Sequence, residues 1–240
     1  MRLNLGCGLN PLDGFVNVDK AVASTWRGTR MPDVVHDLET FPWPWADRSV
    51  REVVLNHVLE HLGREPDVFM RIMQELYRVC AHGAEVQINV PHPRHDHFIG
   101  DPTHVRVVTP AVLALFSRAS CLKWAKARAA NSPLALYANV DFEMIEQRHI
   151  LDGPWAAMFD KGLISAIKLD EAMRKYNNVV KEIRMTLRVV KPEPVETVPP
   201  VVAEADLPVW TAEDAATAAA VRRALDNFDP LGPDPARVPA

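Results

Sequence analysis

Three groups of residues in the first half of this 240-residue chain are of the types and spacings that do chemistry. The first is the turn Gly6-Cys7-Gly8, directly after Leu3-Asn4-Leu5, with Asp19 following at the end of Phe15-Val16-Asn17-Val18. Glycine adopts positive φ at little cost and has no Cβ, so such a turn lets a ligand approach the backbone closely. A carboxylate ending the next strand can accept hydrogen bonds from two ribose hydroxyls. The second group is Asn56-His57-Val58-Leu59-Glu60-His61, and the third is the run from Pro91 to His104, which holds four of the nine histidines. An imidazole with an ordinary pKa of about 6.5 suits proton transfer near neutrality. Together these groups suggest a nucleotide-type cradle beside residues able to move a proton.

The cradle is not that of a dinucleotide enzyme. The dinucleotide fingerprint needs a third glycine where Pro11 stands, and an acidic residue about 20 positions further on. Here Asp19 comes much sooner, so a nicotinamide or flavin site is disfavoured.

The elements that must position these residues can be read from hydropathy period and breakers. Leu3-Asn4-Leu5 and Phe15 to Asp19 read as short buried strands. Leu9 to Gly14 leaves room for at most a turn of helix between them, with Pro11 and Gly14 as breakers. Val34 to Leu38 and Val50 to Leu55 are further strands, separated by Phe41-Pro42-Trp43-Pro44-Trp45. Glu65 to Val79 places Phe69, Ile72, Met73, Leu76 and Val79 on one stripe, the period of an amphipathic helix, with His82-Gly83 as its stop. Glu85 to Val90 is a fifth strand. Thr109-Pro110 opens a helix, as N-cap and first helical residue. Phe142 to Leu151 and Glu182 to Val190 are the last strands, bracketing a helical insert at about Trp155 to Lys175. Strands alternating with helices predict an α/β fold with a doubly wound, mostly parallel seven-stranded sheet and a ligand outside the carboxyl ends of its strands.

Composition bounds the rest. The chain is 48% hydrophobic and 24% charged, ordinary for a globular protein. Residues 1–191 carry a net charge of +2 and residues 192–240 a net −6, so no strongly basic nucleic-acid footprint is present. Nucleic acid is accordingly not the expected partner. No run approaches the roughly 20 apolar residues of a membrane helix, and the first residues lack a signal-peptide core, so a cytoplasmic protein without membrane contact is expected. Cys7, Cys80 and Cys121 are too scattered for a disulfide framework. The division expected is a catalytic domain at 1–191 and an acidic Pro/Ala-rich tail at 192–240, flexible, with a short helix at 211–228. A homo-oligomer, or a protein partner bound through that tail, is the expected macromolecular partner.

Leu3-Asn4-Leu5-Gly6-Cys7-Gly8, Val16 to Asp19, His36-Asp37-Leu38 with Pro42 to Asp47, and Val53 to Leu62 together resemble the ordered motifs of class I S-adenosylmethionine (SAM)-dependent methyltransferases of the small-molecule type. The resemblance covers residues 2–120 closely and continues to Val190 by strand order. It implies a Rossmann-like methyltransferase fold, here starting at the first strand, and SAM as cofactor. Gly6, Cys7 and Gly8 would pass under the methionine and ribose, and Asp19 would hold the ribose hydroxyls. Asp37 and the backbone of Leu38 would meet the adenine edge, with Asn56 and His57 near the methionine portion. Because most relatives cover the cofactor with a helix or more ahead of the first strand, the 91–108 loop or a partner subunit is expected to close this site, or else the site is left unusually open.

Methyl transfer from a sulfonium is an in-line displacement in which positioning can carry much of the rate. A base is needed only where the acceptor must lose a proton, and His61, His97 and His104 are the candidates. Trp43 and Trp45 fit either a wall of the adenine or acceptor pocket or simple packing under a loop, and are not counted as site residues. Some methyltransferases of this class, including small-RNA 2′-O-methyltransferases, carry Glu-x-x-Glu-His after the fourth strand and bind a divalent metal there. Here His57 replaces the first Glu, so a divalent ion at His57, Glu60 and His61 would be zinc or a transition ion rather than Mg²⁺; a general base at His97 or His104 without metal is the leading expectation. The expected activity is methyl transfer to oxygen or nitrogen of a small or medium-sized metabolite. Two alternatives stay open: a catalytically silent SAM-fold subunit, and an RNA ribose methyltransferase. The Asn/Asp-Pro-Pro-Tyr/Phe tetrapeptide of amino-methylating nucleic-acid enzymes is replaced by Asn56-His57-Val58-Leu59.

Overall fold

The computed structural model describes residues 1–25 and 28–192. A parallel pair, β1 (Arg2–Leu5) and β2 (Val16–Asp19), opens the chain, with Leu3, Leu5 and Val18 fully buried. A hairpin of β3 (Ala23–Thr25) and β4 (Gly28–Arg30) leads to the two-residue β5 (Val34–Val35). Then come β6 (Val50–Asn56), α1 (Pro66–Val79) and β7 (Cys80–Pro91). Four helices follow: α2 (Asp96–Ile99), α3 (Pro110–Ala114), α4 (Arg118–Lys126) and α5 (Leu134–Tyr137). The chain closes with β8 (Phe142–Leu151), α6 (Gly153–Asp160), α7 (Ala166–Lys175) and β9 (Val180–Val189).

The main sheet has seven strands in the order β5-β2-β1-β6-β7-β9-β8. All neighbours are parallel except at β9, which runs antiparallel to both β7 and β8. Alternation along the strands explains the layering. Val86, Ile88 and Val90 of β7 join Ile183, Met185 and Leu187 of β9 in one core, against which α1 sets Phe69, Ile72, Met73, Leu76 and Val79. Each such burial contributes about 1.5–3 kcal/mol relative to exposure. The alternate residues, Glu52, Gln87, Asn89, Arg184 and Thr186, form polar rows on the other face. No helix connects β1 to β2, as the short Leu9 to Gly14 segment requires; instead that loop is tied down through Asn17, whose Oδ1 accepts from Leu12 N at 2.8 Å and from Asn4 Nδ2 at 2.9 Å.

Several local expectations shift. The strand expected at Val34 to Leu38 stops at Val35, because Asp37 Oδ1 accepts from Glu39 N and Leu38 turns into the core. His82-Gly83 is not a helix stop. α1 ends at Val79 and Cys80 is already extended and buried, so the chain enters β7 directly. Gly83, at φ +77°, instead falls where the β6–β7 pairing slips between Cys80 and Glu85. Thr109 caps α3 as expected, accepting from Val112 N at 3.3 Å. The insert after β8 is two helices, separated at Gly162 and packed on a small core of Leu169, Ala172 and Val179. Arg94 and Asp96 tie the histidine-rich loop to this insert through Arg174 O and Asn178 Oδ1.

Among the described residues no helix is long and apolar enough to cross a membrane. The acidic tail beyond Pro192, with its expected helix at 211–228, lies outside the described residues.

Candidate functional site

The glycine turn sits at the carboxyl end of β1. Gly6 and Gly8 have φ of +69° and +50°, and the amides of Gly6 and Cys7 donate to Val18 O at 2.8 and 3.0 Å. A Cβ at Gly6 would collide with the Val58 side chain, whereas one at Gly8 would meet nothing within 4 Å. Gly6 is thus required by packing and Gly8 by its backbone angle and the open space over it. Gly8 N–H donates to Asp19 Oδ2 at 2.8 Å, which locks the turn to the end of β2. Cys7 is buried beneath.

Beyond β5, Asp37 is exposed and Leu38 buried. Trp43 Nε1 donates to Leu38 O at 3.0 Å, and His36 stands edge-on to Trp45 at 5.8 Å. The Trp43 to Trp45 segment is held by α1. Arg78 donates to the carbonyls of Trp43 and Trp45, while Glu75 Oε2 accepts from Trp43 N at 2.6 Å. The Arg78 guanidinium, together with the Trp43 amide, keeps the Glu75 carboxyl below its ordinary pKa against the effect of burial. Both tryptophans are buried.

The other wall begins at the carboxyl end of β6. His57 has φ +55°, and its amide donates to Asn89 O at 2.9 Å. Its Nε2 lies 2.9 Å from Glu182 Oε2, and its Nδ1 3.4 Å from Glu60 Oε1. The Glu60 carboxylate, and then Glu182, hold the His57 pKa above its ordinary value against the opposing effect of burial. Glu60 is 0% exposed, and the approach of His57 is not aligned as a hydrogen bond, so neither carboxylate oxygen accepts one. Its backbone carbonyl accepts from Val105 N and Arg106 N at 2.9 and 3.1 Å, pinning the far end of the histidine-rich loop onto this turn. Arg106 reinforces the pin by lying over the Phe69 ring.

That pinning brings His104 to His61, with ring centroids 4.6 Å apart. His104 Nδ1 is 2.9 Å from Phe98 O, and the ring stacks on Phe98. His61 Nδ1 lies 3.0 Å from Thr103 Oγ1 and 3.3 Å from Thr103 O. Thr103 Oγ1 itself donates to Asp101 Oδ1 at 2.6 Å.

A cavity of about 390 Å³ joins the two walls, lined on one side by Gly6, Asp19 and Leu38 and on the other by His57, His61 and Thr103. Of the residues singled out in the sequence, Gly6, Asp19, Asp37, Leu38, His57 and His61 line it. Cys7 and Gly8 belong to the turn beneath, and His104 is reached through His61. Asn56 is not among the lining residues; its Oδ1 accepts from Asn89 on the polar face of the sheet. His97 is not brought there either. Its amide donates to His95 Nδ1, the cap that starts α2, and its ring packs on His95 at 4.3 Å. Of the grouping His57, Glu60 and His61, His57 lies between Glu182 and Glu60, and Glu60 and His61 also cluster with His104. Lys20, His36, Val58, Leu62 and Thr103 line the cavity without having been singled out. Lys20 and His36 sit at the ends of β2 and β5, and the rule that ligands bind at strand carboxyl ends would have found them.

A larger cavity, about 760 Å³, opens at the amino ends of the strands. Its charged groups are engaged within the protein, Arg78 with Glu75 and Asp47, and Lys191, Arg48 and Arg118 with the carbonyls of Arg78, Pro192 and Val140. The smaller cavity is therefore the candidate site.

No family model and no curated protein sequence matches the chain. Among solved structures it is similar to a SAM-dependent methyltransferase from Archaeoglobus fulgidus, at 16% identity over 78% of this chain and 85% of that one, with a TM-score of 0.44. It is also similar to the YcgJ protein of Bacillus subtilis, at 13% identity, 80% and 92% coverage and a TM-score of 0.44. A SAM-dependent methyltransferase from Methanosarcina mazei is similar at 13% identity, 80% and 92% coverage and a TM-score of 0.43. The fold itself is read from the sheet. With one antiparallel strand, the last among the described residues, inserted between the fifth and sixth of the main sheet, the chain has the Rossmann-like fold of class I SAM-dependent methyltransferases.

Proposed function

We propose that this protein is an enzyme that transfers a methyl group from SAM to an oxygen or nitrogen of a small or medium-sized acceptor. The observation that carries the reading is the single cavity in which the glycine turn and Asp19 face His57, His61 and Thr103. The residues present suit the cofactor. Gly8 leaves open space where a side chain would stand, and Asp19 keeps one oxygen, Oδ1, without a hydrogen bond among the described residues. The backbone of the turn would support methionine and ribose, Asp19 the ribose hydroxyls, and Asp37 with Leu38 the adenine edge. Bound SAM supplies an electrophilic methyl on a sulfonium. The chain's part is to orient the acceptor and, where it must ionise, to take its proton. Thr103 oxygens beside His61 Nδ1 favour the tautomer whose Nε2 carries a lone pair, so His61 is the cavity-lining group suited to that task.

The test is calorimetric titration with SAM, followed by transfer of labelled methyl to fractionated metabolite extracts. Saturable binding is expected, weakened at least about 10-fold in Asp19→Ala at a temperature where that variant is fully folded, the loss of hydrogen bonds to a charged group. His61→Ala should lower turnover more than SAM affinity. Failure of the wild-type chain to bind SAM would overturn the reading. Binding without transfer to any pool would favour a catalytically silent SAM-fold subunit.

A further inference from the structure

We propose that the chain forms a two-fold symmetric dimer by antiparallel pairing of β8 with the β8 of a second copy, in the register that sets Gln147 opposite the partner's Gln147. This interface goes beyond the methyl-transfer reading and does not depend on it.

The two edges of the main sheet differ. β5 is two residues long, whereas β8 runs for ten, Phe142–Leu151. A very short edge strand offers little to another chain, but a long one presents a row of unpaired N–H and C=O groups. Residues 145–149 are all exposed. Successive side chains of a strand point to opposite faces, so five exposed residues in a row mean that both faces as well as the edge are uncovered there. Among the described residues, none of residues 143–151 makes a backbone hydrogen bond outside the ladder to β9.

The charges on this edge choose both occupant and register. In a dimer whose two-fold axis is perpendicular to the sheet, the residue at the axis faces itself, and every other residue faces one equally far on the other side. Centring on Gln147 sets Glu146 against the partner's Arg148, and Arg148 against the partner's Glu146. Centring on Glu146 or on Arg148 sets like charges directly opposite, which is unfavourable. Centring on Ile145 or His149 gives neither charge an opposite one. Of the five exposed positions, only Gln147 makes the edge complementary to itself.

In the single chain Arg148 Nη2 lies 2.5 Å from Glu146 Oε1, with side chains 71% and 46% exposed. An ion pair so exposed is worth little, so both groups can turn to a partner at small cost. The same register sets the exposed Ile145 opposite the partner's His149, and the half-buried Met144 opposite the partner's Ile150. Ile145 is the extra residue where β8 slips against β9, and it lies outside the three central pairs. A bulge and charges are devices that guard a free edge. Here, with opposite signs about Gln147, the charges exclude other registers and admit a copy of the same strand. Backbone hydrogen bonds and apolar cover would supply the affinity, and the charges the specificity. The candidate cavity is built at the ends of β1, β2 and β6, and β6 is three strands in from β8, so each cavity is complete within one protomer.

The test is sedimentation of the full chain over a wide range of concentration, in which a 26.8 kDa monomer should give way to a species of twice that mass. Glu146→Arg and Arg148→Glu should each weaken dimerisation at least about 10-fold, because symmetry makes each change count twice. Both side chains are exposed, so circular dichroism and SAM affinity should be unchanged. Mixed in equal amounts, the two single variants should dimerise with each other, since every Arg then faces a Glu, and Glu146→Arg combined with Arg148→Glu in one chain should dimerise as the wild type does. A wild type that stays monomeric, a single variant that dimerises as tightly as the wild type, or two single variants that stay apart when mixed would overturn the proposal. SAM titration is a separate measurement, so failure of the dimer and failure of the methyl-transfer reading are distinguishable.

Discussion

The carboxylate of Asp19 accepts a 2.8 Å hydrogen bond from the amide of Gly8, joining the ends of β1 and β2 at the floor of the cavity. Asp19 therefore shapes the turn as well as offering an oxygen to a ligand, and the two roles separate by substitution. Asp19→Asn can keep the contact to Gly8 through its carbonyl, while a neutral amide accepts more weakly from ribose hydroxyls. SAM affinity should fall in the order wild type, Asn, Ala, with melting temperature reduced only in Ala. Equal affinity in Asn and Ala would mean that charge, not turn geometry, carries the whole effect.

Gly6 and Val58 are mutually fitted. Gly6→Ala places a Cβ against the Val58 methyls at a φ of +69°, so overpacking and left-handed strain add to about 2–4 kcal/mol of lost stability. Val58→Ala in the same chain should restore the steric part and leave the backbone part. Denaturant unfolding of the two single variants and the double variant measures this; strict additivity would show that the two side chains do not meet.

Glu75 clamps Arg78 through two 2.7 Å hydrogen bonds and also accepts from the Trp43 amide. Glu75→Gln should cost about 1–3 kcal/mol at pH 7. Because the folded-state pKa of Glu75 is lowered, its ionised form contributes stability above the ordinary carboxylate range, and that contribution is lost as pH falls through the folded value. The stability gap between wild type and Glu75→Gln should therefore begin to narrow below about pH 4 and shrink progressively at lower pH. A gap that does not narrow as the pH is lowered below the ordinary carboxylate range would assign the effect to packing.

Cys80 is 0% exposed and burial pushes its thiol up to about 12. The thiolate is the reactive form, so iodoacetamide at pH 8 should leave Cys80 unmodified in the native protein and label it fully in denaturant. Peptide mass spectrometry reads this directly. Native-state labelling would show that the junction of α1 and β7 opens.

Much of the frame was legible from short-range pattern. The stripe from Phe69 to Val79 requires a helix, Thr109-Pro110 requires a helix start, and the alternation of Val86, Ile88 and Val90 requires a strand with one buried face. The β3–β4 hairpin, α4 and α5 were not read, because α4 buries only Cys121 and so shows little periodicity. His82-Gly83 misled for a related reason: a glycine at positive φ serves a helix end or a strand irregularity equally well, and the choice was made by burial of Cys80.

For the site, the sequence alone determined the components that are adjacent in the chain: the turn at Gly6 and Gly8, Asp19 one short strand later, and Glu60 beside His61. Only the tertiary structure decided which histidines join them. His97 and His104 look alike in their local context, yet one packs on His95 and the other meets His61. The difference lies in the hydrogen bonds from Val105 and Arg106 to Glu60 O and in the seating of Arg106 on Phe69. Those contacts span more than 35 residues and depend on how a loop closes over α1 and β6, and loop closure leaves no periodicity in the sequence.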